Sequence, residues 1–165
     1  MISQPGVMQF SPPQKSLIFQ AMDEAEERTA GYYCIPPFRW ELLRYDLLTQ
    51  ADHGWEPLPE PTLARVRCLK KVHRSRAFDF YRIELNDRSI LEAADRENLT
   101  TNLYPFFVYI LTHEMVHMVR LSSILDGSET LIPCDETEEK RVQRISRGIL
   151  EGSLHYRPVL DKFCS

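Results

Sequence analysis

Two histidines and a glutamate occur close together in the segment YILTHEMVHMVR, which runs from Tyr109 to Arg120. His113 and His117 are four residues apart, so on a helix their side chains project from the same face, one turn from each other. Two imidazole nitrogens at this spacing can bind one zinc ion. Glu114 follows His113 directly and could accept a proton from a water molecule that the metal activates. The segment therefore predicts a metal site that carries its own general base.

The same residues could instead be polar members of a structural helix that binds no metal. A single histidine in so apolar a segment is more often a core residue than a metal ligand. Here, however, a core helix would have to bury His113, Glu114 and His117 together. Buried carboxylates and imidazoles are costly unless they are paired or bind a metal. We therefore favour the metal site.

A catalytic zinc ion normally has three protein ligands, so a third ligand must come from elsewhere in the chain. No further histidine follows at the spacing of a metzincin motif. The segment 135–152 predicts a helix, which offers Glu138 and Glu139 near its start. Asp135 and Glu138 have the spacing of a capping box, which would give Glu138 a structural role. Glu139 is therefore the favoured third ligand, and Glu138 is the alternative.

A mostly helical fold with a small sheet is expected to position these residues. Segments 63–72 and 78–87 alternate in polarity and predict a β-hairpin, so a small antiparallel sheet would lie beside the helix of the histidines. Apolar residues at helical spacing predict the other elements, which places the chain in the α+β class. The predicted helices are 15–31, a segment that follows Pro36-Pro37 and puts Phe38, Leu42, Tyr45 and Leu48 on one face, 86–99, 102–122 and 135–152.

The length of 165 residues fits a single domain with its own hydrophobic core. Residues 1–14 are polar and contain several prolines, which predicts a loosely ordered N-terminus. Residues 15–60 are expected to form an N-terminal helical layer. Residues 61–165 are expected to form the catalytic core that contains the candidate site.

Net charge and cysteine spacing argue against several classes of protein. A net charge of -4 does not suit a nucleic-acid binder, although Arg65 to Arg76 form a locally basic segment. We interpret that segment as a solvated strand edge that discourages aggregation, with a substrate or partner contact as the alternative. The four cysteines include no CxxC pair, and the N-terminus does not have the pattern of a signal peptide. These features predict a reduced, cytoplasmic chain with free thiols.

The helix of the histidines is about as long as a membrane span, but its composition does not suit one. As a span, the segment 103–121 would place His113, Glu114, His117 and Arg120 in lipid. Ionisable groups inside a bilayer are costly. A helix through a protein core fits this segment better, so no membrane association is expected.

The segment HEMVH and the predicted helix EKRVQRISRGIL together resemble the gluzincin zinc peptidases. The resemblance is to the small minigluzincins and the ImmA/IrrE-like proteases in particular. Members of the latter group tend to show a ligand glutamate at the head of an E-x-x-A-N-x-F-A-x-x-L-L stretch, where Glu139 stands in this chain. The chain departs from that pattern at Val142-Gln143, where an Ala-Asn pair would be expected. The resemblance covers about Tyr81 to Leu150.

The resemblance implies a zincin-like metallopeptidase fold and a zinc-dependent peptidase that hydrolyses polypeptide substrates. It implies that His113, His117 and Glu139 are the metal ligands and that Glu114 is the general base. The strand FDFYRIELN would then pair with an extended substrate. Candidates for steadying the oxyanion are two residues that follow the glutamate helix, His155 and Tyr156.

A second hypothesis is a zinc-binding regulatory or interaction module on a peptidase scaffold that has no proteolytic activity. The presence of Glu114 argues against it, because a structural metal site does not need a general base.

Overall fold

The computed structural model describes residues 8–53, 62–70, 80–122 and 135–164. Helices dominate this part of the chain, and three short strands form a small sheet. The described helices are α1 (Pro12–Tyr32), α2 (Pro37–Trp40), α3 (Gln50–His53), α4 (Asp87–Arg96), α5 (Leu103–Leu121), α6 (Glu136–Leu150) and α7 (Arg157–Phe163), with a 3-10 turn at Leu154–Tyr156. The strands are β1 (Arg44–Leu48), β2 (Ala64–Lys70) and β3 (Phe80–Leu85). The predicted α+β class and its mostly helical character are confirmed.

The sheet is mixed, whereas an antiparallel sheet was expected. Its strand order is β1-β3-β2, so the last strand in the sequence lies in the centre. Strand β3 pairs antiparallel with β2, as the predicted hairpin requires, and it pairs in parallel with β1. The inner face of β3 contributes Tyr81, Ile83 and Leu85 to the hydrophobic core.

The helix predicted to follow Pro36-Pro37 is wrong for most of its length. Helix α2 ends at Trp40, and Arg44–Leu48 form β1 instead. The apolar residues Tyr45 and Leu47 are spaced by two, and they lie opposite Tyr81 and Ile83 of β3. Because pairing with β3 lets both side chains pack against the core, the strand is favoured over a helix here.

Helix α1 begins at Pro12, three residues before the predicted start. Ser11 and Gln14 form a capping box, in which the backbone N–H of each donates to the side chain of the other at 2.8 and 3.3 Å. Pro12 occupies the first helical position, where its missing N–H costs nothing. Part of the predicted loosely ordered segment 1–14 is therefore helical, while residues 1–7 and the predicted boundary at residue 60 lie outside the described residues.

Helix α5 passes through the centre of the fold, with α1 packed along it and α6 beside it. Its observed bounds confirm the predicted helix 102–122, with Asn102 and Ser122 as its caps. Residues on all sides of α5 are buried, including Phe106, Leu111 and Met118. The histidines of this helix are therefore held by a rigid core. Within the described residues, the helices lack the combination of length and apolar character that crossing a membrane requires.

One buried carboxylate connects helix α4 to two earlier segments of the chain. Asp87, the first residue of α4, is fully buried. Its two oxygens accept hydrogen bonds from the backbone N–H groups of Phe10, at 3.0 Å, and Gln50, at 2.8 Å. Asn86 caps α4 by accepting a hydrogen bond from the N–H of Ser89, which confirms the predicted start of this helix.

Candidate metal centre

The three predicted metal ligands meet between α5 and α6. His113 and His117 project from one face of α5, and Glu139 reaches them from the first turn of α6. The carboxylate oxygens of Glu139 lie 2.6 Å from Nε2 of His113 and 3.0 Å from Nε2 of His117. One donor atom from each residue fits within 4.8 Å of the other two. The group could therefore hold a metal ion.

The electrostatics of this group favour an ionised carboxylate. Hydrogen bonds with His113 and His117 hold the pKa of Glu139 well below its ordinary value. Burial alone would lower the pKa of His117, but its hydrogen bond with Glu139 and the charge of Glu114 raise it above its ordinary value. The Glu139 side chain is 52 % exposed, against 11 % and 17 % for the two histidines. The two histidines are therefore held by the packed helix α5, whereas the side chain of Glu139 faces the solvent.

Glu138 and Glu139 are adjacent but serve different partners. Asp135 caps α6 by accepting a hydrogen bond from the N–H of Glu138 at 2.8 Å. The carboxylate of Glu138 does not complete the capping box, because it turns toward α5 and pairs with Arg120 at 2.5 and 3.1 Å. Arg141 lies 3.6 Å from the same carboxylate. Glu138 is buried and engaged in ion pairs, whereas Glu139 is the residue that reaches the histidines.

Glu114 lies beside the three donors and is almost fully buried on α5. Burial raises the pKa of Glu114 above its ordinary value, and the nearby His113 and His117 offset this only in part. A carboxylate with an elevated proton affinity, placed next to a metal-binding group, is suited to accept and return a proton.

A cleft of about 450 Å³ opens over this group, between the start of β2 and the helices α5, α6 and α7. Its volume falls within the range of small-molecule and peptide-binding sites. Most of its wall is apolar, and its polar lining residues include the three candidate ligands and Glu114. The lining residues are Thr62, Leu63, Ala64, Arg65, Val66, Tyr109, Ile110, His113, Glu114, His117, Leu121, Glu138, Glu139, Gln143 and Phe163.

The strand expected to pair with a substrate is not at the border of the cleft. Strand β3, which contains most of FDFYRIELN, is the central strand and is paired on both sides. Its backbone groups are therefore engaged within the sheet. Strand β2 instead borders the cleft, and in the part of the chain that the structure describes it pairs only with β3.

The two candidates for an oxyanion-stabilising residue lie away from the cleft. Tyr156 is buried, and the guanidinium of Arg28 from α1 lies 4.9 Å from the centre of its ring. His155 is exposed, and its ring centre is 6.5 Å from that of Tyr104. Neither side chain lines the cleft, so the expectation that they act there is wrong.

The C-terminal wall of the cleft was not foreseen from the sequence. The ring of Tyr109, one turn before His113, is stacked on that of Phe163 from α7, with centres 5.9 Å apart. Gln143, one turn after Glu139, donates a hydrogen bond from Nε2 to the backbone carbonyl of Phe163 at 3.0 Å. The helical spacing of Tyr109 from His113 and of Gln143 from Glu139 could have indicated both residues. Phe163 gave no such signal, because its position depends on how α7 packs.

Comparison of the chain with models of known protein families, with curated proteins and with solved structures finds no match. What the geometry provides is two imidazole nitrogens and one carboxylate that can share a metal ion, beside a buried glutamate and at the wall of a cleft.

Proposed function

We propose that this protein is a zinc-dependent peptidase with a zincin-like fold, which hydrolyses peptide bonds with Glu114 as the general base. The observation that carries the proposal is the meeting of His113, His117 and Glu139 at the wall of the cleft, next to the buried carboxylate of Glu114. The resemblance of HEMVH and the Glu139 helix to gluzincin peptidases points to the same chemistry.

The donor set fits zinc in a catalytic rather than a structural role. Structural zinc sites are usually closed by four protein ligands, often cysteines, whereas catalytic sites use three and leave one position open. His113, His117 and Glu139 form a set of two histidines and one glutamate, which is typical of zinc peptidases. A bound zinc ion supplies Lewis-acid chemistry, which polarises a carbonyl group and makes a water molecule more acidic.

In the proposed hydrolysis, proton transfer and substrate binding are assigned to residues of the chain. Glu114 accepts a proton from the attacking water at its carboxylate and then delivers it to the leaving amine. Its burial supports this assignment, because a desolvated carboxylate binds a proton more readily. The apolar walls of the cleft, including Tyr109, Ile110 and Phe163, would exclude bulk water and hold an extended segment of the substrate.

A cytoplasmic location is part of the proposal. Among the described residues, Cys34 and Cys164 are free thiols, as a reducing compartment would maintain them.

The test uses the purified full-length chain and two readouts, metal content and hydrolysis of a fluorescently labelled unfolded polypeptide such as casein. His113→Ala should lose both bound zinc and activity. Glu114→Gln should keep zinc and lose activity by at least about a hundredfold, because general base catalysis typically contributes that much or more. The matched control is Glu136→Gln, an exposed glutamate in the first turn of α6, which should change neither readout.

The possible outcomes separate the alternatives. A wild-type chain that binds no zinc would rule out the proposal. Full activity in Glu114→Gln would rule out Glu114 as the base. Stoichiometric zinc without hydrolysis of any polypeptide would favour the zinc-binding module that has no proteolytic activity.

A further inference from the structure

A basic segment borders the cleft in a chain whose overall charge is negative. Between Thr62 and Phe78 the sequence contains six lysines and arginines and no acidic residue, while the net charge of the whole chain is -4. The described part of this segment is residues 62–70, which include β2, and residues 62–66 line the cleft. Two of the six positive charges, those of Arg65 and Arg67, therefore lie on the strand that borders the cleft.

Two arginines of β2 share a single carboxylate on the outer face of the sheet. The guanidinium of Arg65 lies 3.0 Å from Oε1 of Glu84 in β3, and that of Arg67 lies 3.5 Å from the same oxygen. Glu84 is fully buried, whereas the two arginine side chains are 41 % and 48 % exposed. Counting the described residues, one carboxylate is shared by two guanidinium groups, which leaves a net positive charge at the edge of β2.

The neighbouring cation of the central strand is matched by its own partner. Arg82 of β3 binds Asp46 of β1 through two hydrogen bonds of 3.0 and 3.1 Å. Asp46 therefore offsets the charge of Arg82, and the excess positive charge on this face is concentrated along β2, on the side of the cleft.

We propose that β2 selects extended polypeptide segments that carry acidic side chains at alternate positions. This inference rests on the proposed peptidase function and names its class of substrate. Side chains of a paired strand alternate between the two faces of a sheet, in either strand direction. A segment paired with the edge of β2 that lies opposite β3, which has no partner strand within the described residues, would thus place every second side chain beside Arg65 and Arg67. Guanidinium groups bind carboxylates well.

The intervening side chains of the same segment would face the cleft. That side presents Ala64 and Val66 of β2. Apolar side chains would pack against this wall, whereas acidic side chains would lose their hydration there. The selectivity therefore depends on the positions of the acidic residues and not only on their number.

The test measures binding of fluorescent peptides to the zinc-loaded Glu114→Gln protein, so that hydrolysis is not required. Three peptides share one apolar background and carry two glutamates separated by one residue, two adjacent glutamates, or two lysines separated by one residue. The first can place both carboxylates on the outer face in a single register, and the second can place only one there. We expect the first to bind about threefold tighter than the second and about tenfold tighter than the third, as cross-strand ion pairs allow.

Substitutions of Arg67 test the origin of this preference. Arg67→Glu keeps the closer Arg65–Glu84 pair, so the sheet should fold, and thermal unfolding of the variant checks this. It should abolish the preference for the alternating glutamates, whereas Arg67→Lys should retain it. Arg39→Glu, a change at an exposed arginine of α2 away from the cleft, is the matched control and should leave the preference intact.

Failure of the inference and failure of the proposed function can be told apart. Equal binding of the three peptides, together with hydrolysis of casein by the wild type, would overturn the inference and leave the peptidase standing. A preference for alternating glutamates without hydrolysis of any polypeptide would support the acidic ligand and overturn the peptidase. If Arg67→Glu folds and keeps the preference, the assignment to β2 is overturned.

Discussion

Arg120 on α5 and Glu138 on α6 form a largely buried ion pair between the two helices that carry the candidate metal ligands. Their guanidinium and carboxylate groups meet at two points, 2.5 and 3.1 Å apart. Arg120 stands three residues after His117, and Glu138 directly precedes Glu139. The pair therefore joins the helices next to the donors and helps to set the distance from Glu139 to the histidines.

Neutralising both partners of this pair should cost less stability than the two single neutralisations added together. Arg120→Gln or Glu138→Gln alone leaves a charge in a largely buried position, and we expect each to lower the free energy of unfolding by about 3 kcal/mol. The double variant should be less destabilised than the sum of the two, as measured by urea unfolding. The same single variants should weaken zinc binding in a competition titration.

The exposed pair Lys140 and Glu136 serves as a control, and its neutralisation should change stability by less than about 1 kcal/mol. Strict additivity of the two changes in the Arg120–Glu138 pair would contradict this coupling.

The same substitution should mainly lower stability at Glu138 and mainly lower zinc affinity at Glu139. Glu139→Gln removes a charged donor from a half-exposed position, so zinc affinity should fall by about a hundredfold or more, while stability without metal should fall less than in Glu138→Gln. Glu138→Gln should instead act mainly by lowering the free energy of unfolding, because Glu138 is buried beside Arg120. Calorimetric zinc titrations and unfolding in a chelator distinguish the two effects. Loss of zinc only in the Glu138 variant would show that the neighbouring glutamates have been assigned the wrong way round.

Metal removal should lower the stability of the folded chain. A ligand that binds only the folded state adds about 2.7 kcal/mol at a free concentration of one hundred times its Kd. Thermal unfolding with buffered zinc, compared with unfolding in a chelator, should therefore show a higher melting temperature with zinc. The difference should vanish in His117→Ala. It should persist in His155→Ala, because His155 is exposed and lies away from the cleft. An identical melting temperature with and without zinc in the wild type would argue for a structural helix without a metal.

Glu24 of α1 should contribute to the loss of stability in acid. Burial alone would raise the pKa of Glu24, but hydrogen bonds from Tyr104 and Arg28 help to lower it below its ordinary value. A lowered pKa in the folded state means that the stabilisation is present above the ordinary pKa of about 4.3 and is lost as the pH falls through the lowered value. Glu24→Gln should therefore reduce the steepness of the decline in unfolding free energy below about pH 5. Glu136→Gln, at an exposed site, should leave that decline unchanged. If the unfolding free energies of Glu24→Gln and the wild type declined equally steeply below about pH 5, the role of Glu24 would be contradicted.

The candidate site could be predicted largely because its features are local in the sequence. Helical spacing alone places His113 and His117 on one face, and an apolar stretch of 19 residues fixes the helix that carries them. Capping chemistry at Asp135 gave the start of α6, and hence the position of Glu139 in its first turn. The partner of Glu138 could not be predicted, because Arg120 reaches it only once α5 and α6 have packed.

The sheet and the walls of the cleft depend on contacts between distant residues, which the sequence pattern does not reveal. The stretch 38–48 has apolar residues at helical spacing and also alternates near its end. Pairing of β1 with β3 across more than thirty residues decides between the two. His155 and Tyr156 follow α6 closely, yet the 3-10 turn at Leu154–Tyr156 directs Tyr156 toward α1.

The position of β3 between two strands that precede it has a consequence for the order of synthesis. Strands β1 and β2 leave the ribosome before the strand that joins them, and in the described structure they have no pairing with each other. The sheet can be completed only after Leu85 has emerged, and α5 with its histidines follows soon after. A nascent chain from which β1 and β2 have emerged while β3 is still inside the ribosome would expose two unpaired strands that can associate with other chains. A ribosomal pause that holds β3 inside the exit tunnel after β2 has emerged should therefore lower the yield of native protein more than a pause after Leu85 has emerged.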